Sequence, residues 1–332
     1  MAATLARTSA SLLTAASKPL RCSCGSRPAR RAFSVTAPTL ALRFVLGTSA
    51  ISKDAVAGRR KRRKAKFAAD ELDSGEDALF ALQRPDGACL AVFDGVGGWA
   101  DMGIDPSIYS GSLSRHARQR AAAGGAIDPA ALLQGAYDDV LRDPEVVAGS
   151  STACIAVLNS RDAMLLGVNL GDSALTVIRD GRTHFAHEQI VQTHYFNAPF
   201  QCAKTNSALD QSDRPRDAAP ITIGLKHLDI VALATDGFWD NVFPAELEQL
   251  CRLCLAEHND SKPDQLDDLV RKLAEACCYL AAQSARSDRR TPFQIGAEAA
   301  GKPDWTGGKI DDVSVAIALA VDDPSLDAAT LV

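Results

Sequence analysis

Three aspartates in this chain stand at the ends of strand-like apolar runs, each with glycine beside it. Asp94 follows Ala88-Cys89-Leu90-Ala91-Val92-Phe93 and opens Gly95-Val96-Gly97-Gly98-Trp99. Asp236-Gly237 ends the run Asp229-Ile230-Val231-Ala232-Leu233-Ala234-Thr235, and Gly307-Gly308-Lys309-Ile310 leads into Asp311-Asp312 ahead of Val313 to Ala320. A carboxylate at the tip of a buried strand is costly unless something cationic receives it. Glycine lets backbone amides and carbonyls approach whatever sits there. One Asp-Gly pair is ordinary turn chemistry. Three in the same context point to a shared metal site, and oxygen ligands without histidine or thiolate suit Mg2+ or Mn2+ better than zinc.

Those segments fall into a longer series. Gly75-Glu76-Asp77, Asp94-Gly95-Val96-Gly97-Gly98, Gly149-Ser150-Ser151-Thr152-Ala153, Asn169-Leu170-Gly171-Asp172-Ser173, Ala234-Thr235-Asp236-Gly237 and Gly308-Lys309-Ile310-Asp311-Asp312 occur in that order. Together they resemble the metal-dependent protein phosphatase family of the protein phosphatase 2C type, over about residues 73 to 321. Trp99 to Pro106 and His194 to Gln201 are similar to the mitochondrial branch of that family. The resemblance implies an α/β (α+β) fold, a four-layer sandwich of two antiparallel β-sheets flanked by helix pairs. It also implies hydrolysis of phosphoserine and phosphothreonine in proteins, with two Mn2+ or Mg2+ ions as cofactors.

The same resemblance assigns roles by position. Asp94, Asp236 and Asp311 become the catalytic carboxylates and metal ligands, with the Gly95 carbonyl on one ion and Asp77 and Glu76 beside the pair. Clustered carboxylates repel one another until divalent cations neutralise them, and a water held there loses a proton more readily than bulk water. Asp172 either orients backbone near the site or only shapes its turn. His194 and Asp312 stand as residues behind the ligands or toward substrate.

Two departures from the family pattern matter. Many relatives carry His where Val96 stands, and valine cannot protonate a leaving alkoxide; His194 is a candidate for that role, or a structural histidine. The usual phosphate-gripping Arg before the Glu-Asp pair has no counterpart in Asp70-Glu71-Leu72-Asp73-Ser74. A catalytically weak or inactive regulator with the same fold is therefore the alternative. A dinucleotide-binding reading of Gly95-Val96-Gly97-Gly98-Trp99-Ala100 lacks the acidic ribose partner about 20 residues on, where Ser114-Arg115-His116 stands.

The net charge of −5 divides unevenly, +14 over residues 1–66 and −19 over the rest. An acidic body argues against a nucleic-acid partner and favours a site that collects cations. Residues 1–53 lack acids and are rich in Ala, Ser, Thr and scattered Arg, the composition of a mitochondrial presequence, with cleavage expected near Phe33. Matrix localisation follows, with phosphoprotein substrates that the branch resemblance extends to coenzyme Q biosynthesis proteins. Residues 54–72 read as a basic/acidic linker, 73–322 as the catalytic domain and 323–332 as a tail. The basic run through 59–66 suits a solvated linker or a weak contact with anionic membrane. No stretch has the length of a membrane span. Nine cysteines without regular spacing argue against a disulfide framework, and the Cys251/Cys254 and Cys277-Cys278 pairs read as buried thiols.

Elements that must position the aspartates are legible from caps and periodicity. Asp105-Pro106 and Asp128-Pro129 start helices, the first running to about Ala122 and the second carrying an apolar stripe from Leu132 to Val140. Strands are expected over 152–158, 164–169 and 174–178, with a hairpin turn at Arg179-Asp180-Gly181. Further helices are expected over 244–258 and 263–287. Residues 194–226 and 286–303 read as loops, the first as a variable flap beside the site.

Overall fold

The computed structural model describes residues 41–59, 72–205, 212–260 and 265–323. Its strands alternate apolar faces as the sequence dictates. Strands β1 (Leu42–Ile51), β2 (Ala78–Arg84), β3 (Gly87–Phe93), β4 (Gly149–Ser151), β5 (Ala153–Asn159), β6 (Met164–Leu170), β7 (Ala174–Arg179) and β8 (Arg182–Phe185) are followed by three short strands, β9 (Thr193–Tyr195), β10 (Ala198–Pro199) and β11 (Cys202–Lys204). Strands β12 (Ala219–Gly224), β13 (Ile230–Ala234) and β14 (Val313–Asp322) complete the set. Two five-stranded antiparallel sheets result, ordered β1-β14-β13-β7-β8 and β12-β6-β5-β3-β2.

Fully buried β3 shows how the layers stack. Ala88, Leu90 and Val92 join one core with residues of the other sheet, while Cys89, Ala91 and Phe93 join a second core. That period-2 division puts one face of the sheet against its partner and the other against helices. The helices on that outer face are α2 (Pro106–Ala122) and α3 (Pro129–Arg142), whose Tyr109, Leu113, Leu133 and Val140 fill the second core. Asp105 and Asp128 cap them, accepting from Ser107 N and Ala130 N at 3.1 Å each. Beyond the other sheet lie α5 (Pro244–Asp260) and α6 (Leu266–Ala285), with Val270, Leu273 and Cys277 in the first core. Helix pair, sheet, sheet and helix pair make the expected four-layer sandwich.

Several expectations change. Residues 42–51, inside the stretch 1–53 read as presequence with cleavage near Phe33, form β1, paired in unbroken register with β14 from Leu42↔Asp322 to Ile51↔Val313. A short helix α1 (Lys53–Val56) follows, so among the described residues the fold includes 42–56, ahead of the expected boundary at 73. Leu42, Phe44 and Val45 are buried, and Arg43 falls on a partly exposed position, which is why one arginine does not break the strand. The region read as a flap contains β12, the edge strand beside β6; an edge accommodates Pro220, whose missing N–H costs no ladder bond there. Helix α7 (Pro292–Ala299) lies where a loop was expected, capped by Thr291. After Asp94, Gly97–Met102 forms a 3-10 turn, and the flanking sheet is antiparallel, so no dinucleotide-binding βαβ unit exists here. All seven cysteines among the described residues are buried free thiols, as the helical periodicity around 251–278 implied. The expected cleavage near Phe33, the basic run from residue 60 and most of the C-terminal tail lie outside the described residues.

Candidate metal centre

Strand register brings the motif residues to one end of the sandwich. Ala78, one residue after Asp77, pairs with Phe93, one before Asp94. Ala234 pairs with both Ala174 and Val315, which places Asp236, Asp172 and Asp311 at the corresponding ends of β13, β7 and β14. Thr152 ties two of these loops together. Its N–H donates to the Asp94 carbonyl at 3.0 Å, its Oγ1 accepts from Asp94 N at 3.1 Å, and that Oγ1 lies 2.7 Å from Ser173 Oγ.

Thr235 does the same for the other sheet. Its hydroxyl donates to Asp77 Oδ2 at 2.8 Å and accepts from Ser314 N at 3.1 Å. Asp312 is buried and takes backbone N–H groups from Lys53 at 2.5 Å and Glu76 at 3.0 Å. Its carbonyl sits where a Cβ at Gly237 would lie 1.9 Å away, so only glycine lets α4 (Asp236–Trp239) start there. Gly75, at φ +69°, makes the matching approach to the Asp312 carboxylate.

Asp94, Asp172 and Asp236 each offer a carboxylate oxygen within 4.8 Å of the others. Asp172 Oδ1 and Asp236 Oδ1 are buried without a hydrogen-bond partner. Burial, then the charges of Asp236, Asp77, Asp311 and Asp172, hold the Asp94 carboxyl well above the usual carboxylate range. Asp172 is pushed up by burial, Asp236 and Asp240, and Asp311 by burial and Asp236. Carboxylates that disfavour one another's ionisation and present orphaned oxygens fit a divalent cation with hard oxygen ligands.

Lys309 joins this cluster through Asp236. Its Nζ donates to Asp236 Oδ2 at 2.5 Å, Asp311 Oδ2 at 3.0 Å and Asp240 Oδ2 at 3.1 Å. Burial alone would lower its pKa, but those three carboxylates raise it well above the ordinary lysine value. Asp240, pushed up to about 7 by burial, was not among the expected residues, nor was Lys309. Both had a signal: Asp240 is four residues after Asp236 at a helix start, and Lys309 is two before Asp311 in extended chain.

The remaining expected residues are distributed less centrally. Glu76 is paired with the Lys53 ammonium. Asp77 is buried behind Thr235. Gly95 is buried in a bridge to Ser151. Asp311 is engaged by Lys309 rather than by the open trio. Asp312 organises backbone. His194 is half exposed, 3.0 Å from Asp213 Oδ2 and stacked on Phe200 at 4.3 Å, with its described partners in the flap.

A double antiparallel sandwich with aspartates gathered at its mouth defines the metal-dependent phosphatase class. No family profile matches the chain. Over 265 residues it is 34% identical to protein phosphatase PTC7 homolog fig of Drosophila mojavensis, covering 78% of this chain and 81% of the relative. The human protein phosphatase PTC7 homolog is 33% identical over 254 residues, 75% and 80% of the two chains. Among solved structures, the photosystem II phosphatase PBCP superposes with a TM-score of 0.63 at 27% identity, covering 83% of this chain and 98% of that one. The chain belongs to the protein phosphatase 2C family, the metal-dependent protein-serine/threonine phosphatases.

Proposed function

We propose that this phosphatase hydrolyses phosphoserine and phosphothreonine in proteins at a centre of two Mn2+ or Mg2+ ions. The observation that carries the reading is the convergence of Asp94, Asp172 and Asp236 within 4.8 Å, with buried, unpartnered oxygens on two of them. Asp94, Asp236 and Asp311 and the Gly95 carbonyl would hold the ions, with Asp172 joining them and Asp77 and Glu76 alongside. When bound, the ions supply charge neutralisation for the phosphate and an acidified water as nucleophile. The chain's own part is to fix the segments that bear the carboxylates: Thr152 holds the Asp94 main chain, Thr235 holds the Asp77 carboxyl, and Asp312 anchors the Glu76 backbone. Val96, half-buried next to the cluster, leaves proton donation to the leaving group to another residue or water.

Residues before β1 carry the composition of a mitochondrial presequence, and the relatives' shared PTC7 name accords with a mitochondrial branch. We assign the protein to the matrix on that basis, with matrix phosphoproteins, including those of coenzyme Q biosynthesis, as its substrates. The test is Mn2+- or Mg2+-dependent hydrolysis of p-nitrophenyl phosphate and of a phosphopeptide by the leaderless protein. Asp94→Asn and Asp236→Asn should each abolish it. Activity that persists in EDTA and in both variants would overturn the metal reading. Import of a reporter fused to residues 1–40 tests the address separately.

A further inference from the structure

The acidic cluster presents two sets of carboxylate oxygens that share Asp236, and Lys309 occupies one of them. On one side Asp94, Asp172 and Asp236 converge with Asp172 Oδ1 and Asp236 Oδ1 unpartnered. On the other, Asp236 Oδ2, Asp240 Oδ2 and Asp311 Oδ2 surround the Lys309 ammonium at 2.5, 3.1 and 3.0 Å. An ammonium has three N–H donors, and three carboxylates take them. We propose that Lys309 is a built-in cation that fills the Asp236–Asp311 side in the metal-free protein and must be displaced before a second divalent ion can load there. The inference rests on the two-ion reading above and adds how that centre fills.

The surroundings support a residue placed for this purpose. Asn241 is fully buried and clamps the Lys309 main chain at both ends: its Nδ2 donates to the Lys309 carbonyl at 2.9 Å, and its Oδ1 accepts from Lys309 N at 3.0 Å. The backbone is therefore fixed, and any displacement of the ammonium has to come from turning the four-carbon stem. Lys309 Nζ also lies 5.3 Å from the centre of the Phe293 ring. An aromatic face attracts an ammonium, so Phe293 offers a place to one driven off the carboxylates.

Asp236 belongs to both sides through different oxygens. A first ion on the open side can use Oδ1 while Lys309 keeps Oδ2. An ion on the Asp311 side has to compete with a tethered positive charge for the same oxygens. Uptake then occurs in two steps, the second weakened by Lys309. The five carboxylates Asp94, Asp172, Asp236, Asp240 and Asp311 retain a formal charge of −4 with Lys309 among them, so the lysine also limits their repulsion before any ion arrives.

Calorimetric titration of the EDTA-stripped, full-length protein with MnCl2 tests the proposal, beside thermal unfolding without metal. In the wild type, two classes of Mn2+ uptake are expected. Lys309→Met should tighten the weaker class by about tenfold or more, the scale of removing one unit charge a few ångströms away, and should lower the metal-free Tm. Lys309→Arg, which keeps the charge, should stay close to wild type in both measurements. Should Lys309→Met not fold without metal, Lys309→Gln, neutral but able to hydrogen-bond carboxylates, is titrated in its place with the same tightening expected. Unchanged or weaker second-step uptake in the folded neutral variant would overturn the role given to Lys309. A wild type that takes up no Mn2+ would overturn the two-ion reading and this inference together.

Discussion

Thr235 Oγ1 and Asp77 Oδ2 meet at 2.8 Å across 158 positions of sequence, and this hydroxyl is what couples the end of β13 to the loop before β2. Asp77 is buried, and burial followed by the Asp312 charge pushes its carboxyl well above the ordinary range. Thr235→Val keeps the volume and removes the donor, leaving Asp77 with one fewer partner and the Ser314 N–H unpaired. A stability loss of about 1–3 kcal/mol is expected, read by urea unfolding. Thr235→Ser should recover most of it.

Gly237→Ala places a methyl 1.9 Å from the Asp312 carbonyl, a backbone atom that cannot swing aside. The β13 and β14 ends must separate, at about 1–3 kcal/mol or more, with loss of Mn2+ uptake. Gly111, in the middle of α2 with open space around it, is the control. Gly111→Ala should be neutral or stabilise by up to about 1 kcal/mol.

Asp143 gives a pH signature away from the metal centre. Its carboxylate accepts from Ser112 Oγ at 2.7 Å, the Glu145 N–H at 3.0 Å and Arg115 at 2.7 Å, and these hold its pKa below the usual aspartate value against the opposing effect of burial. A depressed folded pKa contributes stability above the unfolded value of about 4 and loses it as pH falls through the folded value. Asp143→Asn should therefore cost about 1–3 kcal/mol at pH 7. The gap between variant and wild type should close as pH drops below about 4, measured by thermal unfolding across pH.

Removal of divalent ions should destabilise the fold, because Lys309 then offsets just part of the repulsion among the recessed aspartates. Mn2+ at about a hundred times its Kd should raise stability by about 2.7 kcal/mol, seen as a higher Tm. EDTA should reverse it. Asp236→Asn should blunt the response while leaving the protein folded.

Truncation tests where the domain begins. A chain starting at residue 41 retains β1 and should unfold cooperatively. One starting at residue 54 exposes the edge of β14 and uncovers Val270, over which Gly47 packs so closely that a Cβ there would lie 2.6 Å from its carbonyl oxygen. It should be insoluble or lose its cooperative transition, as followed by circular dichroism.

Much of this was legible before any coordinates. β3, β13 and β14 announce themselves as unbroken apolar runs because both of their faces are buried, and the aspartates at their tips stand out against them. β1 was hidden because its residues continue an acid-free, Arg-bearing composition, and composition does not reveal a pairing partner about 270 positions away. β12 exposes every second residue, but it is only six residues long, contains proline and sits in a polar stretch, so it resembles a loop until β6 is beside it. Asp172 stays open between a turn role and a site role in the sequence because its neighbours Asp94 and Asp236 come from two other strands. In the sequence Lys309 is a cation two residues before Asp311, and the convergence of Asp236, Asp240 and Asp311 shows where its ammonium goes.

The pairing of β1 with β14 has a consequence in time. β1 finds its ladder only in β14, so that edge of the sheet stays unpaired until the C-terminal strand is in place, while β8 at the opposite edge already has β7. Loop closure over nearly the whole chain is slow compared with local hairpins. Closing the β1–β14 ladder is therefore expected after the local pairings β2–β3 and β5–β6, which join strands adjacent in the chain.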